Sequence, residues 1–324
     1  MTIVIDSHIP FLTEAVRREW PEVDICPMEP EQITSETVRE ADVLVVRTRT
    51  AVNASLLEHS HVRLVCTATI GYDHIDTDYC DRNDIRWMSC PGCNAQAVCD
   101  YIEQVLTEWW KVYGRTPGPA PFFSGVVGVG LVGTLVAQMA ERKGCRVLLN
   151  DPPKGIGVPL DELARQCDII TFHVPLTRKG QYPTYHLCDE AFLAKCKPGA
   201  LIINAARGGV VDEQALLRSG HPYVLDTWEN EPHIDPHVLQ HAFRASMHIA
   251  GYSVQGKRNA TQMCLDEIAR MFGLKRIDIS GYPYPASSQQ NSNEPDWLAA
   301  VTDQLKAAPT AFEALRKAYP LRGV

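Results

Sequence analysis

Gly128-Val129-Gly130-Leu131-Val132-Gly133 follows the apolar residues Val126 and Val127 and opens a helical pattern that runs towards Lys143. Glycines at this spacing say little alone; their setting gives them meaning. A strand is predicted before them, over Val126–Gly130, and a helix after them. A second strand, Arg146–Asn150, then ends on Asp151, eighteen residues past Gly133. Glycine permits a tight turn and lets backbone approach a pyrophosphate at a helix N-terminus. An acidic side chain at the next strand end accepts hydrogen bonds from ribose hydroxyls. Asp151 is followed by Pro152-Pro153 instead of an arginine, which favours NAD over NADP. If the glycines served only to pack a helix on a strand, Asp151 would have no reason to stand in register. The segment reads as a dinucleotide site.

Working outward, short apolar runs alternate with helical patterns on both sides. Downstream, strands are expected at Ile169–Val174, Ala200–Ala206, Tyr223–Trp228 and Ser246–Gly251. With Val126–Gly130 and Arg146–Asp151 they make six, enough for a complete doubly wound sheet. Upstream, Ile3–Asp6, Val43–Arg47 and Leu64–Thr69 are strands, and Phe11–Trp20 is an amphipathic helix. Asn94 to about Tyr113 lacks proline and glycine and reads as a helix joining two domains, with Asn94 as N-cap. Thr116-Pro117-Gly118-Pro119-Ala120-Pro121 ends it as a loop. Ile277 to Pro295 is loop-like, and Trp297–Tyr319 alternates helical patches with Pro309.

The expected fold class is α/β, with two doubly wound, parallel-sheet, Rossmann-like domains. A substrate domain takes residues 1–93 plus 273–285, and an NAD-binding domain, 94–272, is inserted in it. Residues 286–324 form a short C-terminal extension. Closure of a cleft between the domains is expected to exclude water from the reactants.

Composition narrows the function. Thirty-one basic against thirty-nine acidic residues give a net charge of −8, which argues against a general nucleic-acid binder. An anionic ligand must then be held by local cations. No apolar run approaches the roughly 20 residues that cross a bilayer. The start, Met1-Thr2-Ile3-Val4-Ile5-Asp6, reads as a strand and not as a targeting segment. Eleven scattered cysteines fit a reducing compartment, so a cytoplasmic protein is expected. Cys90-Pro91-Gly92-Cys93 lacks a second ligand pair at zinc spacing and reads as a turn entering the interdomain helix.

Three strand ends carry polar groups, where open α/β sheets bind ligands. They are Asn204-Ala205-Ala206-Arg207-Gly208-Gly209, Asp226-Thr227-Trp228-Glu229-Asn230-Glu231-Pro232 and His248-Ile249-Ala250-Gly251-Tyr252. Oxidising a hydroxy acid by hydride transfer needs a base for the hydroxyl proton, a cation for the carboxylate and a carboxylate to steady the protonated base. His248 suits the first task, Arg207 the second and Glu231 the third. Singly, each also has a structural reading: a core histidine, a surface ion-pair partner, a solvated turn. Spacing alone does not prove that they meet.

At these residues the chain resembles the D-2-hydroxyacid dehydrogenase family. The resemblance rests on the glycine loop, Phe172-His173-Val174-Pro175-Leu176, Arg207-Gly208 to Val211-Asp212, Glu231-Pro232 and His248. Cys66-Thr67-Ala68-Thr69-Ile70-Gly71, Asp73-His74-Ile75-Asp76, Pro91-Gly92-Cys93-Asn94-Ala95, Asp151-Pro152-Pro153 and Gly251-Tyr252 to Gly256-Lys257 resemble one branch of it. That branch oxidises 4-phospho-D-erythronate at C2 to (R)-3-hydroxy-2-oxo-4-phosphooxybutanoate with NAD, on the route to pyridoxal 5'-phosphate.

The resemblance implies that Arg207, Glu231 and His248 are catalytic, with His248 transferring the proton. It implies that Leu131, Val132, Asp151, Val174, Ala205, Ala206, Arg207, Asp226 and Gly251 line NAD beside Gly128, Gly130 and Gly133. Thr48, Thr69 and Tyr252 would touch substrate, and Arg47 and Lys257 would supply cations for its phosphate. A homodimer is implied as well. Two features depart from the pattern. Val174 stands where relatives can carry threonine, and the segment after Gly273 is shorter than a dimerisation domain, although Phe312–Tyr319 resembles part of one. Another hydroxy acid, such as 3-phosphoglycerate, and a non-enzymatic NAD-sensing protein are the alternatives at this point.

Overall fold

Runs of β-branched and apolar residues with no polar alternation form the inner strands, because helices cover both faces of a parallel sheet. The computed structural model describes residues 1–113, 122–283, 289–290 and 296–323. The predicted loop Thr116–Pro121 lies outside the described residues, as do 284–288 and 291–295 of the predicted linker.

The chain forms two units, the first made of Met1–Asn94, Tyr252–Gln289 and Leu321–Val324. Its elements begin with β1 (Thr2–Asp6), α1 (Leu12–Glu19), β2 (Asp24–Met28), β3 (Val43–Val46) and α2 (Ala54–Leu57). β4 (Leu64–Thr67), α3 (Thr77–Arg82) and β5 (Arg86–Met88) follow. The five strands are parallel in the order β2-β1-β3-β4-β5. Alternate side chains leave opposite faces. Ile3, Ile5, Val43, Val45, Leu64 and Cys66 pack with Leu12 and Val16 on one side. Val4, Leu44, Val46 and Val65 pack with Val38, Leu56 and Leu57 on the other. Each such side chain contributes about 1.5–3 kcal/mol by leaving water.

The second unit comprises Ala95–Gly251 and Gln290–Pro320. It starts with α4 (Ala95–Tyr113), β6 (Phe122–Val127), α5 (Leu131–Arg142), β7 (Cys145–Asp151), β8 (Ile156–Gly157) and α6 (Leu160–Gln166). β9 (Ile169–Phe172), α7 (Glu190–Leu193), β10 (Leu201–Asn204), α8 (Glu213–Ser219), β11 (Tyr223–Leu225), α9 (Pro236–His241) and β12 (Arg244–Ala245) continue it. The strand order is β12-β11-β10-β9-β6-β7-β8, parallel except for the short β8 hairpin edge. The order reverses between β6 and β9. In such sheets the crevice at the carboxyl ends beside that reversal is where ligands bind.

Four expectations need correction. The strand expected over Ser246–Gly251 ends at Ala245, because the Asp226 carboxylate captures the next groups. It takes the Ser246 hydroxyl and the Ile249 and Ala250 N–H groups that a ladder would otherwise use. The domain boundary expected at 272 falls at 251. Helix α10 (Val254–Phe272) buries Ala260, Cys264, Leu265 and Ile268 in the first unit's core. Asn94 precedes α4 as predicted but does not cap it, since its Oδ1 is buried without a hydrogen-bond partner.

While Leu321–Val324 belongs to the first unit, most of the C-terminal segment, expected as an extension of its own, belongs to the second as Gln290–Pro320. Its helices α11 (Trp297–Ala307) and α12 (Phe312–Ala318) follow the undescribed stretch. On α11, the Thr302 hydroxyl takes the Ala245 N–H at 3.0 Å and lies 3.1 Å from the Ala245 oxygen. The β12 edge is thereby covered, which removes an open pairing site.

Candidate active site

The glycine loop sits at the end of β6, and the ends of β7 and β9 close around it. Gly128 has φ +89°, a left-handed conformation that a side chain resists. A Cβ there would press on His173 O at 2.7 Å and on the Val174 side chain at 2.8 Å. Val174 thus meets the loop by packing, as an apolar residue at that position can. A Cβ on Gly133 would collide with the Gly128 carbonyl oxygen, so α5 lies directly on the strand end. Gly130 differs, since a Cβ there would meet nothing.

Gly130 also gives no side-chain cap to α5, which leaves the first helical N–H groups available to an anion. Leu131, at the helix start, is 60% exposed, an open apolar surface beside them, and Val132 is half-buried. Asp151 Oδ2 accepts the Val129 N–H at 2.9 Å, and Lys154 Nζ donates to the Val129 oxygen at 2.7 Å. These features fit a dinucleotide: small residues against the pyrophosphate position, unpaired amides, and a carboxylate at the ribose end.

The structure brings His248 and Glu231 together. His248 Nδ1 lies 2.6 Å from Glu231 Oε1. A carboxylate only accepts, so Nδ1 carries the hydrogen and Nε2 is left as the basic nitrogen. Burial pulls the Glu231 carboxyl up, but other groups outweigh it and hold it below its ordinary value. They are the hydrogen bond and charge of His248, the charge of Arg316 and the Trp228 N–H. Glu231 is therefore the ionised partner that an imidazolium needs. His173, the other histidine at these strand ends, is pushed down to about 4 by burial and stays neutral.

Asp226 builds the histidine's seat. It is 1% exposed and its two oxygens accept from Ser246 Oγ (2.6 Å), Ile249 N (2.7 Å) and Ala250 N (3.0 Å). The backbone between these donors holds His248 at φ 57°, a conformation that costs energy for a residue with a Cβ. The sequence placed Asp226 against the cofactor and missed this task, which no spacing signalled. Gly251 follows the same turn and is half-buried.

Arg207 is half-buried in the loop after β10. Asn204 shapes that loop, its Oδ1 accepting from Ala206 N and its Nδ2 donating to Arg207 O. The guanidinium donates to the Ala206 carbonyl at 2.8 Å, and no ion pair engages it among the described residues. A partly buried arginine without a carboxylate is a cation held ready for an anion. Ala205 and Ala206 are half-buried beside it. A Cβ on the next residue, Gly208, would collide with the Trp228 carbonyl oxygen, so the Arg207 loop rests on the turn that carries Glu231.

Glu213, which the sequence reading passed over, lies beneath that turn. It is 5% exposed and accepts the Glu229 N–H at 2.6 Å. Burial pushes it up to about 8, reinforced by the charges of Glu229, Asp235 and Glu231 and opposed by the Glu229 N–H. Its folded value lies above the usual 4.5, so its contribution to stability is full below pH 4.5 and is lost as pH rises through about 8. Glu213→Gln keeps the acceptor and removes the titration. Its thermal stability should decline less than the wild type's between pH 5 and 9, by on the order of a few kcal/mol. Parallel melting curves of the two proteins across that range would refute the burial argument.

The expected substrate residues lie in the first unit. Thr48 is exposed past the end of β3, and Thr69 follows β4, with its hydroxyl 2.7 Å from that of Thr67 and donating to Gly71 O at 2.8 Å. Arg47 donates through Nε and Nη2 to the fully buried Asp6, at 2.8 and 3.1 Å, so two of its donors are committed. Lys257 Nζ lies 5.4 Å from the centre of the Tyr252 ring, which brings that pair together.

Known proteins resemble the chain over nearly its whole length. Residues 99–250 match the family described as D-isomer specific 2-hydroxyacid dehydrogenase, NAD binding domain. An erythronate-4-phosphate dehydrogenase of Bacteroides thetaiotaomicron is 40% identical over 340 residues, covering 99% of this chain and 97% of that one. A protein of the same name from Porphyromonas gingivalis is 39% identical, covering 99% and 92%. Among solved structures, D-lactate dehydrogenase from Aquifex aeolicus, complexed with NAD and lactic acid, superposes with a TM-score of 0.65. It is 24% identical, covers 84% of this chain and 96% of that one, and so bears on fold alone. The chain belongs to the NAD-dependent D-isomer specific 2-hydroxyacid dehydrogenases, within the erythronate-4-phosphate dehydrogenase family.

Proposed function

We propose that this chain oxidises 4-phospho-D-erythronate at C2 to the 2-oxo acid, with NAD as acceptor, on the route to pyridoxal 5'-phosphate. The observation that carries the chemistry is the 2.6 Å His248–Glu231 contact, with Arg207, which no ion pair engages among the described residues, in a loop resting on the same turn. The substrate assignment rests on the relatives' name and their near-complete coverage.

Bound NAD supplies the hydride acceptor. Gly128, Gly130, Leu131, Val132 and Gly133 would hold its pyrophosphate, Asp151 its ribose, and Val174, Ala205, Ala206, Arg207, Asp226 and Gly251 would line the rest. Arg207 fixes the substrate carboxylate with its planar fork. His248 Nε2 takes the C2 hydroxyl proton as the C2 hydride departs, and Glu231 stabilises the resulting imidazolium. Thr48, Thr69 and Tyr252 would touch the substrate, and Arg47 and Lys257 would supply cations for its phosphate.

The test is formation of reduced nicotinamide from 4-phosphoerythronate, 3-phosphoglycerate and D-lactate side by side. A parallel set with a 2-oxo acid acceptor detects product if reduced cofactor stays bound. Strong preference for 4-phosphoerythronate is expected. Preference for another acid would leave the chemistry and remove the substrate assignment. NAD binding without turnover on any of them would favour a sensing role.

The homodimer and the cytoplasmic location are also proposals. The Phe312–Tyr319 resemblance supports the first, and native mass in solution checks it, a monomer being the contrary result. Eleven free thiols suit a reducing compartment, and no helix among the described residues is long and apolar enough to cross a membrane. Cell fractionation tests the second, and recovery outside the cytoplasm would refute it.

A further inference from the structure

The turn that provides Glu231 for His248 provides a second carboxylate for a second histidine. His186, in the loop after β9, lies with Nε2 2.7 Å from Glu229 Oε1. The carboxylate accepts, so Nε2 carries the hydrogen. The other ring nitrogen is 3.6 Å from Asp212 Oδ2. The backbone N–H of His186 donates to Gly209 O at 2.7 Å, two residues past Arg207. His186 sits at φ 51°, a left-handed conformation like that of His248, and its ring stacks on Tyr185 at 3.9 Å. With its backbone it grips the Arg207 loop, and with its ring it grips the Glu231 turn.

We propose that His186 is a positioning residue, which holds the carboxylate-binding arginine and the Glu231–His248 pair in one fixed relation by way of Glu229. Two contacts join the Arg207 loop to the Glu231 turn, and His186 braces them through Glu229. The Gly208 backbone rests directly on Trp228 O, and the Trp228 N–H donates to Glu231 Oε2 at 3.3 Å. Glu229, one residue on from Trp228, has its N–H on Glu213 and its carboxylate on His186, so it is held at both ends. Releasing the His186 end frees the turn to shift on its remaining contacts. A displacement of about 1 Å at reacting groups costs as much as a hundredfold in rate. This inference rests on the reading that Arg207, Glu231 and His248 perform the oxidation.

The test compares His186→Phe, which keeps a stacking ring and removes the donor, with His186→Gln, whose amide nitrogen can occupy the Nε2 position. Both are assayed on 4-phosphoerythronate next to His248→Asn, with melting temperature and direct NAD binding measured on each. His186→Phe should lower kcat about tenfold or more while NAD affinity stays within about twofold, and His186→Gln should regain most of the loss. Adding Glu229→Ala to His186→Phe should cost little more, since both break one contact. The proposal is overturned if His186→Phe turns over like the wild type, if His186→Gln fails equally, or if NAD binding falls in step with kcat. His248→Asn separates the levels. If it is inactive while His186→Phe is not, only this inference fails; if it stays active, the parent reading fails with it.

Discussion

Replacing His248 with asparagine should lower kcat by about 10²–10⁴-fold, the usual contribution of a positioned general base, while NAD still binds. Asparagine is the informative choice. The residue sits at φ 57°, a conformation that asparagine tolerates better than most residues, and Asp226 bonds its neighbours' backbone and not its ring. The seat should survive the change. Asparagine has no nitrogen that can accept the hydroxyl proton, and it leaves Glu231 without its imidazole. Glu231→Gln should cost less than His248→Asn, because the base remains and only the stabilised imidazolium is lost. Steady-state oxidation with NAD titrated separately decides the matter. A His248→Asn enzyme within about threefold of wild-type kcat would remove the histidine from the reaction.

Much of this site was legible in the sequence, and the unreadable parts have definite physical causes. The glycine loop, Asp151 and the inner strands could be read because each depends on local rules: positive φ, helix N-terminal amides, and unbroken apolar runs. The sequence nominated His248 and Glu231 for one task, and the structure brings them to 2.6 Å of each other. What could not be read was how the loops are held. Asp226 replaces a strand end with a set of carboxylate bonds, and nothing in Ser246–Gly251, an apolar run with two polar interruptions, announces that. Glu213, at the start of α8, and His186, in the loop after β9, act through backbone and side-chain contacts on Glu229 from 16 and 43 residues away. The unit boundary failed for a similar reason, since α10 continues the chain from the NAD unit but carries its apolar stripe to the other core. Sequence nominated the groups proposed to react; the groups that fix them are tertiary.

Arg207 offers the second large effect, and its expected signature differs from that of His248. Arg207→Met keeps the unbranched stem of the side chain and removes its charge and its fork. Two charge-assisted hydrogen bonds to a substrate carboxylate contribute about 3–5 kcal/mol together, so kcat/KM should fall by roughly 10²–10⁴-fold. Much of that should appear in KM, since the carboxylate is held before and during hydride transfer. Arg207→Lys restores the charge without the planar fork and should recover only part of the loss. Stability should hardly move. Among the described residues the guanidinium bonds to a neighbouring carbonyl and no ion pair engages it, so truncation leaves no buried carboxylate unpaired. Were Arg207 a structural ion-pair partner, the pattern would reverse, with a lowered melting temperature and near-normal kinetics at permissive temperature. Kinetics and melting of both variants, measured on one preparation of each, therefore distinguish a cation kept for substrate from one that serves the fold.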